Sequence, residues 1–162
     1  AMGLVCPGLA SAAVITTNLG VKATVVATCD SVSTTPVDFG VYNNAVTNAD
    51  GSISLNCLEG TPYKIGLDGG TNFDVPSQRS RMTSPTATGV VSYRLFKDAA
   101  RTDIWGQCTT APLCIGATAL PGTGSGTIQT HTVFGQAYAP DIFNPSPQPG
   151  VFTDTVLVQV HF

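Results

Sequence analysis

Two histidines, His131 and His161, and five cysteines, at positions 6, 29, 57, 108 and 114, are the side chains here best suited to chemistry. A catalytic histidine needs a serine and a carboxylate beside it, and the GxSxG turn that would present such a serine is missing from the chain. Both histidines read as solvent-facing strand residues. The glycines of Gly122-Thr123-Gly124-Ser125-Gly126 have the density of a phosphate loop, but neither the lysine nor the helix that cradles a phosphate follows, so the segment reads as a turn. Asp98 and Asp103 form a candidate carboxylate pair, yet Arg101 stands between them and a loop salt bridge is the simpler reading. Trp105 beside Gly106 reads as core or rim in preference to a sugar-stacking platform. Arg79, Arg81, Arg94, Lys97 and Arg101 read as a solvated face.

The cysteines lack the paired CxxC spacing of a zinc site, so disulfides are the expectation and no metal or other cofactor is implied. Such bonds persist in an oxidising compartment, the periplasm or the cell exterior. Cys108 and Cys114 are close enough in sequence to pair across a turn at Pro112. Leu4 to Leu9, followed by Ala10-Ser11-Ala12, matches the tail of a secretory signal with a small-x-small cleavage site, with an artificial start and a genuine N-terminus as the other readings; in the first case Cys6 leaves the mature protein.

The elements that position these residues are strands. Residues 52–57 alternate, with Ile53, Leu55 and Cys57 against Ser52, Ser54 and Asn56, and the same period recurs at Tyr63, Ile65, Leu67 and at Val91, Tyr93, Leu95. Longer strands are expected over 126–138 and 151–162, both rich in Thr, Val and aromatic residues. The clusters 48–51, 68–70 and 121–124 read as turns, and residues 139–150, with four prolines, as a loop excluded from any sheet interior. About seven strands at this spacing make an all-β two-sheet sandwich. The net charge of -3 and the scattered cations argue against a nucleic-acid partner. No apolar run approaches the roughly 18 to 20 residues that cross a bilayer, so no transmembrane segment is expected. Only 10% of residues are charged against 43% hydrophobic, a surface suited to packing against copies of itself.

The N-terminal stretch departs from this spacing. Ile15, Thr17, Leu19, Val21, Ala23 and Val25 give one mostly apolar face to a strand longer than the usual five or six residues, with Thr16, Asn18 and Lys22 opposite. Part of it is expected to pair outside its own domain.

Residues 23–29 (ATVVATC), 37–42 (VDFGVY), 61–65 (TPYKI), Arg81-Met82, 93–101 (YRLFKDAAR), Trp105-Gly106 and 150–156 (GVFTDTV) occur in an order and spacing that resembles the spore coat protein U family, which includes pilins of archaic chaperone-usher fimbriae. The resemblance covers nearly everything from about residue 13 onward; Cys108, Cys114 and the Pro-rich loop before Gly150 depart from it.

The resemblance implies an incomplete immunoglobulin-like sandwich, completed by a donor strand from a neighbouring subunit. It implies a homopolymer assembled with a periplasmic chaperone and an outer-membrane usher into an extracellular fimbrium, with roles in adhesion and biofilm formation and no enzymatic activity. Residues 1–20 are then the donor extension and 21–162 the pilin domain. Ile15, Thr17, Leu19 and Val21 are the expected donor residues, and Val156, Val158, Val160 and Phe162 the inward face of the strand bordering the acceptor groove. Gly150 stands where related pilins carry a glycine before this strand, while His161 replaces their frequent penultimate tyrosine. Cys29 and Cys57 are the expected disulfide of the family. A fimbrial tip adhesin and an extracellular carbohydrate-binding module are the competing readings.

Overall fold

The computed structural model describes residues 13–106 and 118–162. Among these residues there is no helix, and eight strands form two antiparallel sheets. In chain order they are β1 (Cys29–Thr35), β2 (Thr47–Cys57), β3 (Pro62–Leu67), β4 (Ser80–Met82), β5 (Val91–Phe96), β6 (Leu120–Thr123), β7 (Ile128–Ala137) and β8 (Val158–His161). The larger sheet runs β1-β2-β7-β5-β4 and the smaller β6-β3-β8. The chain passes repeatedly between the sheets, from β2 to β3 and finally from β7 to β8, which gives an immunoglobulin-like sandwich.

Alternation selects the inner faces. Ile53, Leu55 and Cys57 from β2, Tyr63, Ile65 and Leu67 from β3, and Val133 from β7 are buried together with Trp105, whose indole Nε1 donates to the Ile65 carbonyl at 3.0 Å. A second cluster of Val91, Tyr93 and Ala137 continues this core toward β4. Cys29 and Cys57 face each other across β1 and β2 and are joined by a disulfide, with their Cα atoms 4.0 Å apart. Cys6, Cys108 and Cys114 lie outside the described residues.

Several stretches differ from their sequence reading. Residues 48–51 belong to β2, because the ladder with β7 runs unbroken from Thr47↔Ala137 to Asn56↔Ile128. Position 51 has no room for a side chain: a Cβ on Gly51 would lie 2.7 Å from the Thr35 carbonyl oxygen. Pro121, Gly122 and Thr123 lie in β6, an edge strand on which a proline's missing N–H is tolerated. Of residues 151–162 only Val158–His161 form a strand, and Thr153 instead bridges Thr83 beside β4.

His131 does not face solvent. It points into the sandwich, where Nε2 lies 2.8 Å from the Tyr63 hydroxyl, and burial lowers its pKa. His161 is half-buried, with Nε2 buried and unpartnered. The five cations read as a solvated face are ties. Arg79 pairs with Asp141 at 2.6 Å and Arg81 with Asp74 at 2.9 Å; Lys97 pairs with Asp103 at 3.0 Å and Arg101 with Asp50 at 2.7 Å. Arg94 donates to the carbonyls of Ser77 and Gln78. Through Arg79, and through Arg81 donating to Asn144 Oδ1 and the Phe143 carbonyl, the Pro-rich loop is held against β4.

Candidate functional site

The smaller sheet stops short. β8 pairs with β3 along one side only, from Lys64↔His161 to Leu67↔Val158, and among the described residues no strand lies along its other side. Beyond that open edge runs the connection between β1 and β2, residues 36–46, which forms no strand of its own. Between the two lies a groove of about 1320 Å³, with residues 34–44 as one wall and residues 147–156 with Val158 as the other. Its floor is the core itself: Ile53, Leu67, Val91, Tyr93, Leu95 and Val133 all reach it. An unpaired strand edge beside an apolar groove is a template for one more strand.

Both walls are held in position. Val37 packs on the first core cluster and Phe39 and Tyr42 on the second, with the Tyr42 hydroxyl donating to the Tyr138 carbonyl at 2.5 Å. On the opposite wall Asp154 accepts from the Tyr93 hydroxyl at 2.7 Å and from the Thr71 amide at 3.0 Å. Asp68 accepts from the Leu157 amide at 2.9 Å, and its own amide donates to the Leu157 carbonyl. These bonds occupy the backbone just before β8 and carry the chain from the larger sheet to the smaller. Burial, followed by the bond to Asp154, raises the Tyr93 pKa far above the ordinary tyrosine range, so the hydroxyl stays protonated as a donor.

Val156, Val158 and Val160 pack against the core, and the first two line the groove. Phe162 follows the end of β8 and is 60% exposed, so the inward face ends at Val160. Ile15, Thr17, Leu19 and Val21 are not brought to the groove of their own chain. Residues 13–28 carry no secondary structure, and Ile15, Leu19 and Val21 are 95%, 88% and 90% exposed. The wall residues Val37, Phe39 and Tyr42 were not singled out as site residues, although the alternation within 37–42 marks Val37 and Phe39 as inward.

The family model described as Spore Coat Protein U domain matches residues 15–159, nearly the whole of this groove-bearing sandwich and most of the arm that precedes it. The chain belongs to the Spore Coat Protein U domain family. Among solved structures, this Spore Coat Protein U domain is similar to a chain in the crystal structure of the CsuC-CsuE chaperone-tip adhesion subunit pre-assembly complex from archaic chaperone-usher Csu pili of Acinetobacter baumannii. The TM-score is 0.58 at 24% identity, over 86% of this chain and 41% of that one. The chain thus spans about two fifths of the length of that relative, and the likeness is one of fold. No curated protein matches the sequence.

Proposed function

We propose that this Spore Coat Protein U domain protein is a structural subunit of a surface fibre, polymerised when residues 13–21 of one copy enter the groove of the next as the missing strand beside β8. The observation that carries the reading is a pair of complementary defects in one chain: an apolar groove at an open sheet edge, and an apolar alternating arm fully exposed to water. Each defect removes the other when two copies meet. Burying Ile15, Leu19 and Val21 contributes about 1.5–3 kcal/mol each before the cost of ordering the arm, and main-chain bonds to β8 add alignment.

Polymerisation then needs neither nucleotide nor metal, because completion of the fold drives it. An exposed groove and arm in one compartment invite premature pairing, and the chaperone-subunit complex named for the Csu relative supports a chaperone as the groove's first occupant here too. Secretion through the periplasm and an outer-membrane usher, and a place on the cell surface, follow from the same reading, as does a part in adhesion and biofilm formation. Donor and domain are divided in this scheme near residue 20. A terminal adhesion subunit accepts a strand without needing to give one, so the exposed arm favours an internal subunit. A carbohydrate-binding module is disfavoured by Trp105, which is 1% exposed and held by the Ile65 carbonyl.

Negative-stain electron microscopy of surface material and purified protein tests this: thin filaments with one domain per repeat are expected. The full chain should form multimers that a chain lacking residues 13–20 does not, while the shortened chain keeps its β-sheet circular dichroism. Multimers that persist without the arm would overturn the proposal.

A further inference from the structure

The charges of this chain are few enough to follow individually, and one cation and one carboxylate remain over at the two halves of the proposed junction. Of the seven cations, Arg79, Arg81, Lys97 and Arg101 each hold a carboxylate, and Arg94 holds two carbonyls. Lys64 stands exposed on β3, with β8 between it and the groove. Lys22 is the single charge between residues 13 and 28, and it is fully on the exposed arm. On the groove's 34–44 wall the single charge is Asp38. Asp38 forms no salt bridge among the described residues and accepts only the Gly40 amide two residues on, at 2.8 Å.

The two charges also lie on matching faces. Val37 and Phe39 turn inward onto the core, so Asp38 between them turns outward and is exposed. When Leu19 and Val21 of an entering arm point at the floor, Lys22 points outward with Asn18 and Gly20. Asp154, the single charge on the 147–158 wall, is turned inward to Tyr93 and is unavailable to an outward-facing lysine. We infer that Lys22 of one copy pairs with Asp38 of the next across the inserted strand, and that this contact selects the register of the donor.

Apolar alternation alone permits a slip of two residues, since positions 15, 17, 19, 21, 23 and 25 all present side chains to the same face. A single ion pair beside the groove distinguishes those registers, because a two-residue slip carries Lys22 about 7 Å away from Asp38. Opposite charges on neighbouring strands favour their alignment, and like charges oppose it.

The inference rests on strand donation, and the test separates the two. Full-length Lys22→Glu and Asp38→Lys chains are prepared, one isotopically labelled, and assembled alone and mixed, with junctions counted by mass spectrometry of native dimers. Alone, each variant meets a like charge at every junction, and assembly should fall about three- to tenfold. Mixed, the arm of the Lys22→Glu chain meets the wall of the Asp38→Lys chain with opposite charge, while in the reverse junction an unaltered Lys22 meets an unaltered Asp38. Mixed junctions should therefore exceed same-variant junctions about tenfold, and 1 M salt, with its Debye length of about 3 Å, should bring the two toward parity. Wild-type chains that assemble while mixed and same-variant junctions form equally would overturn the ion pair and leave strand donation standing. Rescue by both changes in one chain without preference in the mixture would place the contact within a chain and overturn the inference. Failure of the wild type to assemble through its arm would overturn both.

Discussion

Truncating Leu19 to alanine removes three carbons from a side chain that is 88% exposed in the free arm and enters the groove floor in the proposed junction. At about 0.8 kcal/mol for each buried carbon the transfer loss is about 2.4 kcal/mol. A cavity left in the groove takes the total toward about 3–5 kcal/mol. Since about 1.4 kcal/mol is a factor of ten, the junction should weaken at least about fiftyfold. Asn18→Ala alters the neighbouring residue on the outward face and should change the same equilibrium by no more than about twofold. The assay is guanidinium-driven dissociation of isolated multimers followed by light scattering, with circular dichroism of the monomer as a control for folding. Equal effects from Leu19→Ala and Asn18→Ala would refute the alternation argument, and a larger effect at Asn18 would place the opposite face in the groove.

The remaining expectations concern the subunit itself. Replacing Cys29 and Cys57 together by alanine opens a loop with a sequence separation of 28 residues, which should lower monomer stability by about 3.6 kcal/mol in urea unfolding; a loss below about 1 kcal/mol would show that β1 is held by other contacts. Tyr93→Phe takes from Asp154 the side-chain donor that ties the groove wall to β5, and should cost about 1–3 kcal/mol by the same measurement. Acid should destabilise the fold. The Asp74 pKa is lowered chiefly by the Ser77 hydroxyl and the Asp98 pKa by the Asp103 amide; at Asp141, burial raises the pKa but bonds from Asn144, Phe143 and Arg79 outweigh it. Depressed carboxyl pKa values give stability that is complete above the unfolded values near 4 and is lost as pH falls through the folded ones. His131, lowered by burial, adds a smaller loss beginning below about 6.5. The thermal midpoint should therefore fall most steeply below about pH 4, and a midpoint unchanged down to about pH 2 would contradict these shifts.

Sequence periodicity revealed the strands whose two faces differ. Ile53, Leu55 and Cys57 alternate with polar residues because one face of β2 is core and the other meets solvent, and β3 was legible for the same reason; β5 was legible from Val91, Tyr93 and Leu95 although its other face, with Ser92 and Phe96, is covered as well. The short edge strands β4 and β6 were not, since Ser80–Met82 and Leu120–Thr123 are held by neighbours more than by propensity. Residues 48–51 have a turn's composition, but the ladder with β7 outweighs it. The arm was legible as an apolar face with no place in its own domain. The groove was expected from family resemblance; its walls depend on pairings between distant residues, such as Asp154 with Tyr93 and Asp68 with Leu157, that no local pattern encodes. For the same reason Arg79 and Arg81 looked solvated while being bound to Asp141 and Asn144 across the fold.

The disulfide at the root of the arm bears on how such a fibre would carry tension. A pull on residues 13–28 reaches the folded body at Cys29, the first residue of β1. β1 is an edge strand, paired only with β2 and exposed over most of its length. Loaded from that end, its hydrogen bonds to β2 would open one after another, the geometry of a zipper, in which each bond bears the whole force in turn. The Cys29–Cys57 bond lies ahead of the first of them and passes the load covalently into β2, whose ladder with β7 spans the larger sheet. Tension then bypasses the weakest seam of each subunit, and the force at which an oxidised chain yields is set by the interior of the sandwich.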